Sequence, residues 1–487
     1  MREITTSSCR FWPWAGLLGV CLVLAVLGNG CTTVQGYPKT LQPALKALEA
    51  GNYDRALQIT DKKSKGASNG PLFKQEYARI AFIAGKHEQS QKAFEEIIQN
   101  IQKEEMSAQV DLGNAAAQAS SLLLNDNVIP YMKKMPAYER VFVYQHQALN
   151  YLLRKDIEGA LVEVRRANSE QQRALDAHHK ELVKMQRKAD EEKINVQDLN
   201  GRLTEAYRSL DEIEAKVKSS FQNAYTFFLS GLAYELRGET NNAYIDYKNA
   251  LDIFPENPYL QERVFTLGEK LQMTDDLDTF AKRYGRKVAF PNMDTPGYGQ
   301  VVVIVENGLV PERSQIKLMV PVPPYWALVP VAFPYYSTRW EEPPAFSVTD
   351  TGANLGTTAP ICYVRAMAVK ALKEQAFGIA VREVLRAGLK GAASGAARFD
   401  SKGNVSPIGI AVDVVNFATT QADRRSWLTL PDAVEVMRVA VPAGERTLRI
   451  MGAGTGVELP VTIQDQRITL VRMTCIGNTV RAETVGF

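Results

Sequence analysis

Small and apolar residues recur every three or four positions through most of the first half of the chain, the period of helices that bury one face. The pattern is clearest from Phe227 to Pro258, which reads FFLSGLAYELRGETNNAYIDYKNALDIFPENP. Gly231, Tyr234, Gly238, Ala243, Tyr247, Ala250 and Pro255 fall there at offsets that predict two short antiparallel helices. Gly231 and Ala243 are small where the helices must approach closely, and Tyr234 and Tyr247 fill the space beside them. Gly238 ends the first helix and Pro255 stops the second. Gly51, Tyr53 and Ala56 occupy matching turn and second-helix offsets. Residues 72–98 repeat the scheme with Gly85, Ser90 and Phe94, and 138–167 with Ala148, Leu152, Ala160, Val164 and Ala167. Residues 106–124 are Ala-rich and helical without clear repeat signals. This makes four recognisable helix pairs and a fifth, degenerate one, in a helical domain spanning 41–273.

The period changes over 168–220. Leu175, Leu182 and Ala189 are seven apart, and after a polar break Val196, Leu199, Leu203, Ala206, Leu210, Ile213 and Val217 alternate by threes and fours. That seam predicts a coiled-coil arm with an antiparallel return. An arm of about 24 residues projects about 36 Å at 1.5 Å per residue. It is either a solvated hairpin that stiffens the stack or a docking arm for another protein.

Past a turn-rich linker at 274–299 the pattern shortens to strands. Asn307-Gly308 predicts a tight turn between Val301–Val305 and Ser314–Val320. A second hairpin is expected around Pro442-Ala443-Gly444 and a third around Asp465-Gln466, with a last strand after Gly477-Asn478. About seven short strands suggest a small β-sandwich over 300–487. Two segments interrupt it. Residues 321–346 place seven prolines among seven aromatics, which reads as extended or edge structure lying over the core or offering an aromatic surface. Residues 362–422 read as a helical hairpin, with Ala387, Gly391 and Gly395 as a small-residue stripe. The fold class is therefore α+β, multidomain.

The Phe227–Pro258 unit resembles a tetratricopeptide repeat. Such units cannot bury their apolar face alone, so the resemblance implies a stacked solenoid with a concave protein-binding surface.

The N-terminus carries an address. Arg2 and Arg10 precede an apolar run from Phe11 to Leu27 and then Gly28-Asn29-Gly30-Cys31, the layout of a secretory signal over 1–30. Gly30-Cys31 resembles a lipoprotein processing site, in which the Cys31 thiol carries the lipid and 31–40 is a tether. Leu27 lies four before the cysteine rather than the usual three, and Gly28 and Gly30 also suit ordinary signal-peptidase cleavage. An uncleaved anchor is a third reading, although the run is short for a span of about 20 residues. Thr32, where an aspartate would retain the chain, implies sorting to the outer membrane in enteric-type bacteria, facing the periplasm.

Composition narrows the function classes. A net charge of +3 is too mild to argue for nucleic acid. The five cysteines fit no zinc or redox spacing. After cleavage Cys31, Cys362 and Cys475 remain, and lipidation of Cys31 leaves a pair that either joins as a disulfide or stays as two buried thiols. His87, His146, His178 and His179 lie in helical stretches, and the adjacent pair points to different faces, so exposed or seam positions are expected rather than metal ligands. No phosphate loop, metalloprotease helix or nucleophile elbow occurs, so no catalytic residue, metal or cofactor is implied. Asp423-Arg424-Arg425-Ser426-Trp427 is the densest polar-aromatic cluster; an arginine stacked on Trp427 and paired with Asp423 would brace the helices against the last strands.

With ENGLVPE at 306–312 and RSWLTLPDAVEVMRVAVPAG at 425–444, the whole chain resembles a family of bacterial tetratricopeptide-repeat-containing lipoproteins of the cell envelope. That family has no assigned activity, and the resemblance implies an association with cell-wall or flagellum-associated envelope machinery. The expectation is a non-enzymatic interaction scaffold that holds other envelope proteins through its helical stack. The alternatives are an envelope enzyme with its site between the two halves, or a structural subunit of an envelope ring. Oligomeric state is left open.

Overall fold

The computed structural model describes residues 36–66, 69–111, 129–191, 195–285, 294–322, 327–398 and 421–487. The signal, Cys31 and most of the second helix expected at 407–422 lie outside them. Among the described residues five antiparallel helix pairs follow one another. They are α1 (Tyr37–Glu49) with α2 (Tyr53–Ser64), and α3 (Gly70–Ile83) with α4 (His87–Asp111). Next come α5 (Ala137–Leu153) with α6 (Ile157–Glu191), and, beyond α7 (Val196–Tyr207), α8 (Ala224–Arg237) with α9 (Thr240–Ile253). The fifth is α10 (Pro258–Lys270) with α11 (Thr274–Tyr284), so part of the expected 274–299 linker is helix.

Every pair turns through one left-handed residue: Gly51 (φ 72°), Gly85 (φ 69°), Lys155 (φ 63°), Gly238 (φ 84°) and Gln272 (φ 58°). Lys155 and Gln272 stand where the other turns have glycine; the pair at Lys155 is still marked by Ala148, Ala160 and Ala167. A left-handed non-glycine residue costs about 1–2 kcal/mol, part of which glycine gives back as chain entropy in the unfolded state. Gln272→Gly is therefore expected to stabilise the protein by roughly 0.5–1 kcal/mol, read as a rise in the urea midpoint.

Among the described residues eleven strands form three sheets rather than one small sandwich. The central five-stranded sheet has the order β11 (Thr479–Gly486), β10 (Ile468–Ile476), β1 (Tyr298–Asn307), β7 (Ala433–Pro442), β6 (Ala359–Tyr363). β1 runs parallel to β10 and antiparallel to β7. A second sheet pairs β2 (Arg313–Val322) with β3 (Ala327–Tyr336). The third has the order β5 (Ala353–Thr357), β4 (Ser347–Asp350), β8 (Gly444–Gly452), β9 (Thr455–Ile463).

Three expected hairpins are absent. β1 cannot pair with β2 because β7 and β10 already take both its edges. Val301–Val305 is fully buried, as a continuous apolar run in a central strand should be. At Pro442-Ala443-Gly444 the chain passes from the central sheet to the third, β8 pairing with β9 instead of β7. From β9 to β10 it passes back. The hairpin at Gly477-Asn478 does form, with Ile476 opposite Thr479.

The proline-rich segment supplies β3, which pairs on one edge only. Phe333 and Tyr336 are buried there, while Tyr335 between them is half-buried with its hydroxyl 2.6 Å from that of Ser209. Cys362 is in β6, and the insert helix α12 (Val364–Arg398) starts after it. Cys362 and Cys475 are separate buried thiols, and burial pushes the Cys475 thiol up to about 12.

The arm does not stand free. A 3-10 turn (Arg208–Leu210) and a short helix (Asp211–Glu214) follow α7, and Leu199, Leu203, Leu210 and Ile213 are 0–5% exposed. α12 lies along this seam, its Lys370 and Lys373 paired with Glu214 and its Gly378 against Met185. One apolar core runs through helices and strands alike, from Leu41 to Val485, so the division at 274–299 is one of secondary structure and not of cores.

Candidate functional site: the seam between helices and sheet

The first helix of every pair meets the strands. In α1 the Glu49 carbonyl accepts from Thr479 at 2.6 Å; in α10 the Asn257 cap donates to the Pro360 carbonyl at 2.9 Å. The three middle contacts, from α3, α5 and α8, are charged and buried.

Glu306, at the end of β1, is 0% exposed and accepts from Arg79 of α3 at 2.9 Å and from Arg472 of β10 at 3.1 Å. Burial alone would raise its carboxyl, but the two guanidiniums outweigh that and hold it well below the usual range. Arg472 lies 3.9 Å over the Phe82 ring and pairs with Glu483, which meets His87 at 2.6 Å. His146 of α5 donates through Nδ1 to the Phe142 carbonyl at 2.7 Å, which fixes its tautomer. Its Nε2 stands 3.5 Å from Glu306, close but without a hydrogen bond.

Beside this cluster, Glu76 of α3 accepts four hydrogen bonds: from Tyr37 at 2.8 Å, from the Leu428 and Thr429 amides at 2.9 and 3.0 Å, and from the Thr429 hydroxyl at 2.6 Å. Burial pushes its carboxyl up to about 7 against the pull of those donors. Glu139 of α5 accepts from Tyr131, from Tyr138 at 3.1 Å and from the Trp427 amide at 3.1 Å. Glu235 of α8 takes both guanidinium nitrogens of Arg438 (β7) at 2.8 Å and Arg263 at 2.7 Å. Burial is overcome by those two arginines, and the Glu235 carboxyl sits at about 2.

His146 makes the seam pH-dependent. Burial and the Arg79 charge lower its pKa from 6.5 to about 4. Between those values the unfolded chain takes up a proton that the folded chain refuses, so this share of stability is complete above pH 6.5 and is lost as pH falls toward 4. Between pH 7 and pH 5 the loss is about 2 kcal/mol. The stability gap between the wild-type protein and His146→Gln should shrink by that amount in urea titrations at the two pH values; a constant gap would remove His146 as the cause.

The sequence-predicted residues belong to this seam only in part. Ala243, Tyr247 and Ala250 are fully buried, and a Cβ on Gly231 would come within 2.9 Å of the Tyr247 ring. Tyr247 also donates to Glu235 at 2.9 Å, so a repeat-defining tyrosine is joined to the charge cluster. Tyr234 is half-buried and accepts from Arg165 at 3.0 Å, Gly238 is the left-handed turn, and Pro255 follows the end of α9. Asp423 does pair with Arg425, at 2.7 Å, but Arg425 lies over Tyr131, and Trp427 packs instead on His146 and Phe94. His178 and His179 have side chains outside the described residues. Sequence reasoning misses Glu76, Arg79, Glu139, Glu235, Glu306, Arg438 and Arg472. Their one signal is a charge at a position where the local period asks for an apolar residue, as in Ala78-Arg79-Ile80.

Glu306, Arg79, Arg472 and His146 are all 0–1% exposed, so no substrate reaches them, and the arrangement locks two layers together. Among the described residues no three or more His, Cys, Asp or Glu side chains gather as a metal site, and no helix is long and apolar enough to cross a membrane.

No protein-family model matches the chain, and no curated protein matches it. Among solved structures, a thermophilic TPR protein in Thermus thermophilus is 15% identical, with 52% of this chain and 91% of that chain covered at a TM-score of 0.24. The TPR2AB domain–pHSP90 complex of yeast Sti1 is 12% identical, with 50% and 88% covered at a TM-score of 0.19. At such scores the repeat character rests on the chain's own five helix pairs and their left-handed turns.

Proposed function

We propose that the chain is a non-enzymatic adaptor of the bacterial cell envelope, anchored by lipid on Cys31 and engaging partner proteins through the outward side of its helix stack. The observation that carries this reading is where the helices leave apolar surface. The sequence expectation puts partners on the shared inner face, but that face holds the chain's own strands. Five large apolar side chains remain exposed on the second helices of the pairs: Met106 on α4, Val162, Leu175 and Val183 on α6, and Ile245 on α9. Apolar side chains left exposed on successive pairs of a stack are what a protein partner buries.

Photo-crosslinkers at Val162 and Ile245 should capture the same envelope protein in cells, and Val162→Asp with Ile245→Asp should abolish capture without moving the melting temperature. Capture from an unrelated exposed site such as Glu458, equal in strength, would remove the proposal. The anchor is tested separately: inhibiting the lipoprotein-specific signal peptidase, or replacing Cys31 with serine, should leave unprocessed precursor in the membrane. Normal processing would remove the lipid but leave the adaptor.

The rival reading, an enzyme with its site between the halves, requires substrate to enter a seam in which Glu306, Arg79, Arg472 and His146 are closed from solvent. The adaptor needs no such entry.

A further inference from the structure

A cleft of about 720 Å³ opens between α6, α12 and the stretch 129–140. This lies within the size range of small-molecule sites. Lys180, Lys184 and Lys188 come from α6 at spacing four, so one side of that helix lines the cleft with three ammonium groups. None of the three has an ion-pair partner among the described residues. Arg382 lines the opposite wall from α12.

Arg313 lies at the floor, 7% exposed. Its Nε donates to the Tyr336 hydroxyl and its Nη1 to the Arg425 carbonyl, each at 3.0 Å, while its buried Nη2 has no partner. Tyr131 and Tyr138 give the floor apolar surface.

The acids on these walls are already engaged. Asp423 holds Arg425 at 2.7 Å, Glu383 holds Arg386, and Glu374 accepts from the Ser220 hydroxyl. Of the other cations, Arg140 pairs with Glu170 at 2.7 Å, and Lys133 stands 3.9 Å from Glu104. Positive charge is therefore in excess, and concave low-dielectric walls concentrate its field. Partial burial, with Lys184 and Arg382 close by, holds the Lys188 ammonium below its ordinary value.

We propose that this cleft binds a small, multiply charged phosphate-bearing molecule, gripped by Lys180, Lys184 and Lys188 above the Arg313 guanidinium. Convergent ammonium and guanidinium groups match the several oxygens of a phosphate or pyrophosphate. A concave cleft of this size fits a compact polyanion better than an acidic peptide, whose carboxylates are strung along an extended chain. The site does not depend on the adaptor reading, since none of its residues belongs to the outward apolar surface of α4, α9 or Val162.

The test is calorimetric titration of the full chain in nonionic detergent with inorganic pyrophosphate and, separately, with water-soluble dihexanoyl phosphatidylglycerol. Pyrophosphate should bind, and Lys184→Gln with Lys188→Gln should weaken it at least tenfold, while Lys92→Gln on the exposed side of α4 should leave it unchanged. Tighter binding of the short-chain lipid would identify a lipid headgroup as the natural source of the phosphate, and weaker binding a soluble phosphate ester; both support the site. Absence of pyrophosphate binding, equal weakening by Lys92→Gln, or binding of a polyglutamate peptide in its place would overturn it.

Discussion

Glu306→Ala is expected to remove about 3–5 kcal/mol of folding stability. The substitution strands Arg79, 1% exposed, with no counter-charge, and leaves Arg472, also 1% exposed, with Glu483 alone. Two guanidiniums that have left water and lost their shared carboxylate carry a desolvation cost that an exposed pair, worth about 0–1 kcal/mol, never incurs. The loss is a fifth or more of the about 5–15 kcal/mol by which a typical domain is stable. Urea unfolding followed by circular dichroism should show it as a large fall in midpoint. A companion variant sharpens the reasoning: Arg79→Met, Glu306→Leu and Arg472→Met together replace the cluster with apolar groups of similar size, and should recover most of the loss. Should Glu306→Ala alone cost less than about 1 kcal/mol, the cluster does not lock the two layers.

Trp427→Ala should cost a similar amount, about 3–5 kcal/mol, by a different route. Trp427 is fully buried and lies 5.7 Å from His146 and 6.0 Å from Phe94, ring centre to ring centre. Its indole N–H donates to Thr429 at 3.0 Å. Truncation leaves a cavity at the junction of α4, α5 and the segment before β7, where surrounding charges prevent collapse. Trp427→Phe keeps most of the ring contact and should cost clearly less. Equal losses for the two variants would mean that the indole hydrogen bond, and not the ring volume, carries the effect.

These two residues explain the two motifs that carried the family resemblance. ENGLVPE and RSWLTLPD lie side by side: the Asp432 amide donates to the Asn307 carbonyl at 2.9 Å and the Val310 amide to the Leu430 carbonyl at 2.9 Å. Gly308 takes φ 69°, and a Cβ there would meet the Asp432 Cβ at 3.0 Å. Together they present Glu306, Trp427, Leu428 and Thr429 to Arg79, Glu139 and Glu76. The motifs form the clasp between helices and sheet.

Helix pairs were legible because glycine at a left-handed turn and small residues at close crossings leave marks within about 30 residues of one another, as Gly231 and Tyr247 do. The pair turning at Gln272 left no such mark. Strand existence was legible too, since runs such as Val301–Val305 have one reading. Partnership was not: β1 joins β10 in parallel across Val303 and Val471, and no turn signal records a pairing of that separation. The same holds for the seam. Glu235 and Arg438 lie 203 positions apart, and each alone reads as an ordinary surface charge. The coiled-coil pattern does mark an apolar seam, but the helix that covers it, α12, comes far later in the chain.

The bond between Thr479 and Glu49 closes the molecule across 430 positions. A ribosome adding about 5–20 residues per second needs roughly 20 to 90 s to span that interval. For much of it the early helices wait while β1, the 427–429 segment and β10, which cover Arg79, Glu76 and Glu139, are still unmade. Newborn chains thus wait with charged and greasy surface uncovered. Protection against proteases and clumping in that interval has to come from outside the polypeptide.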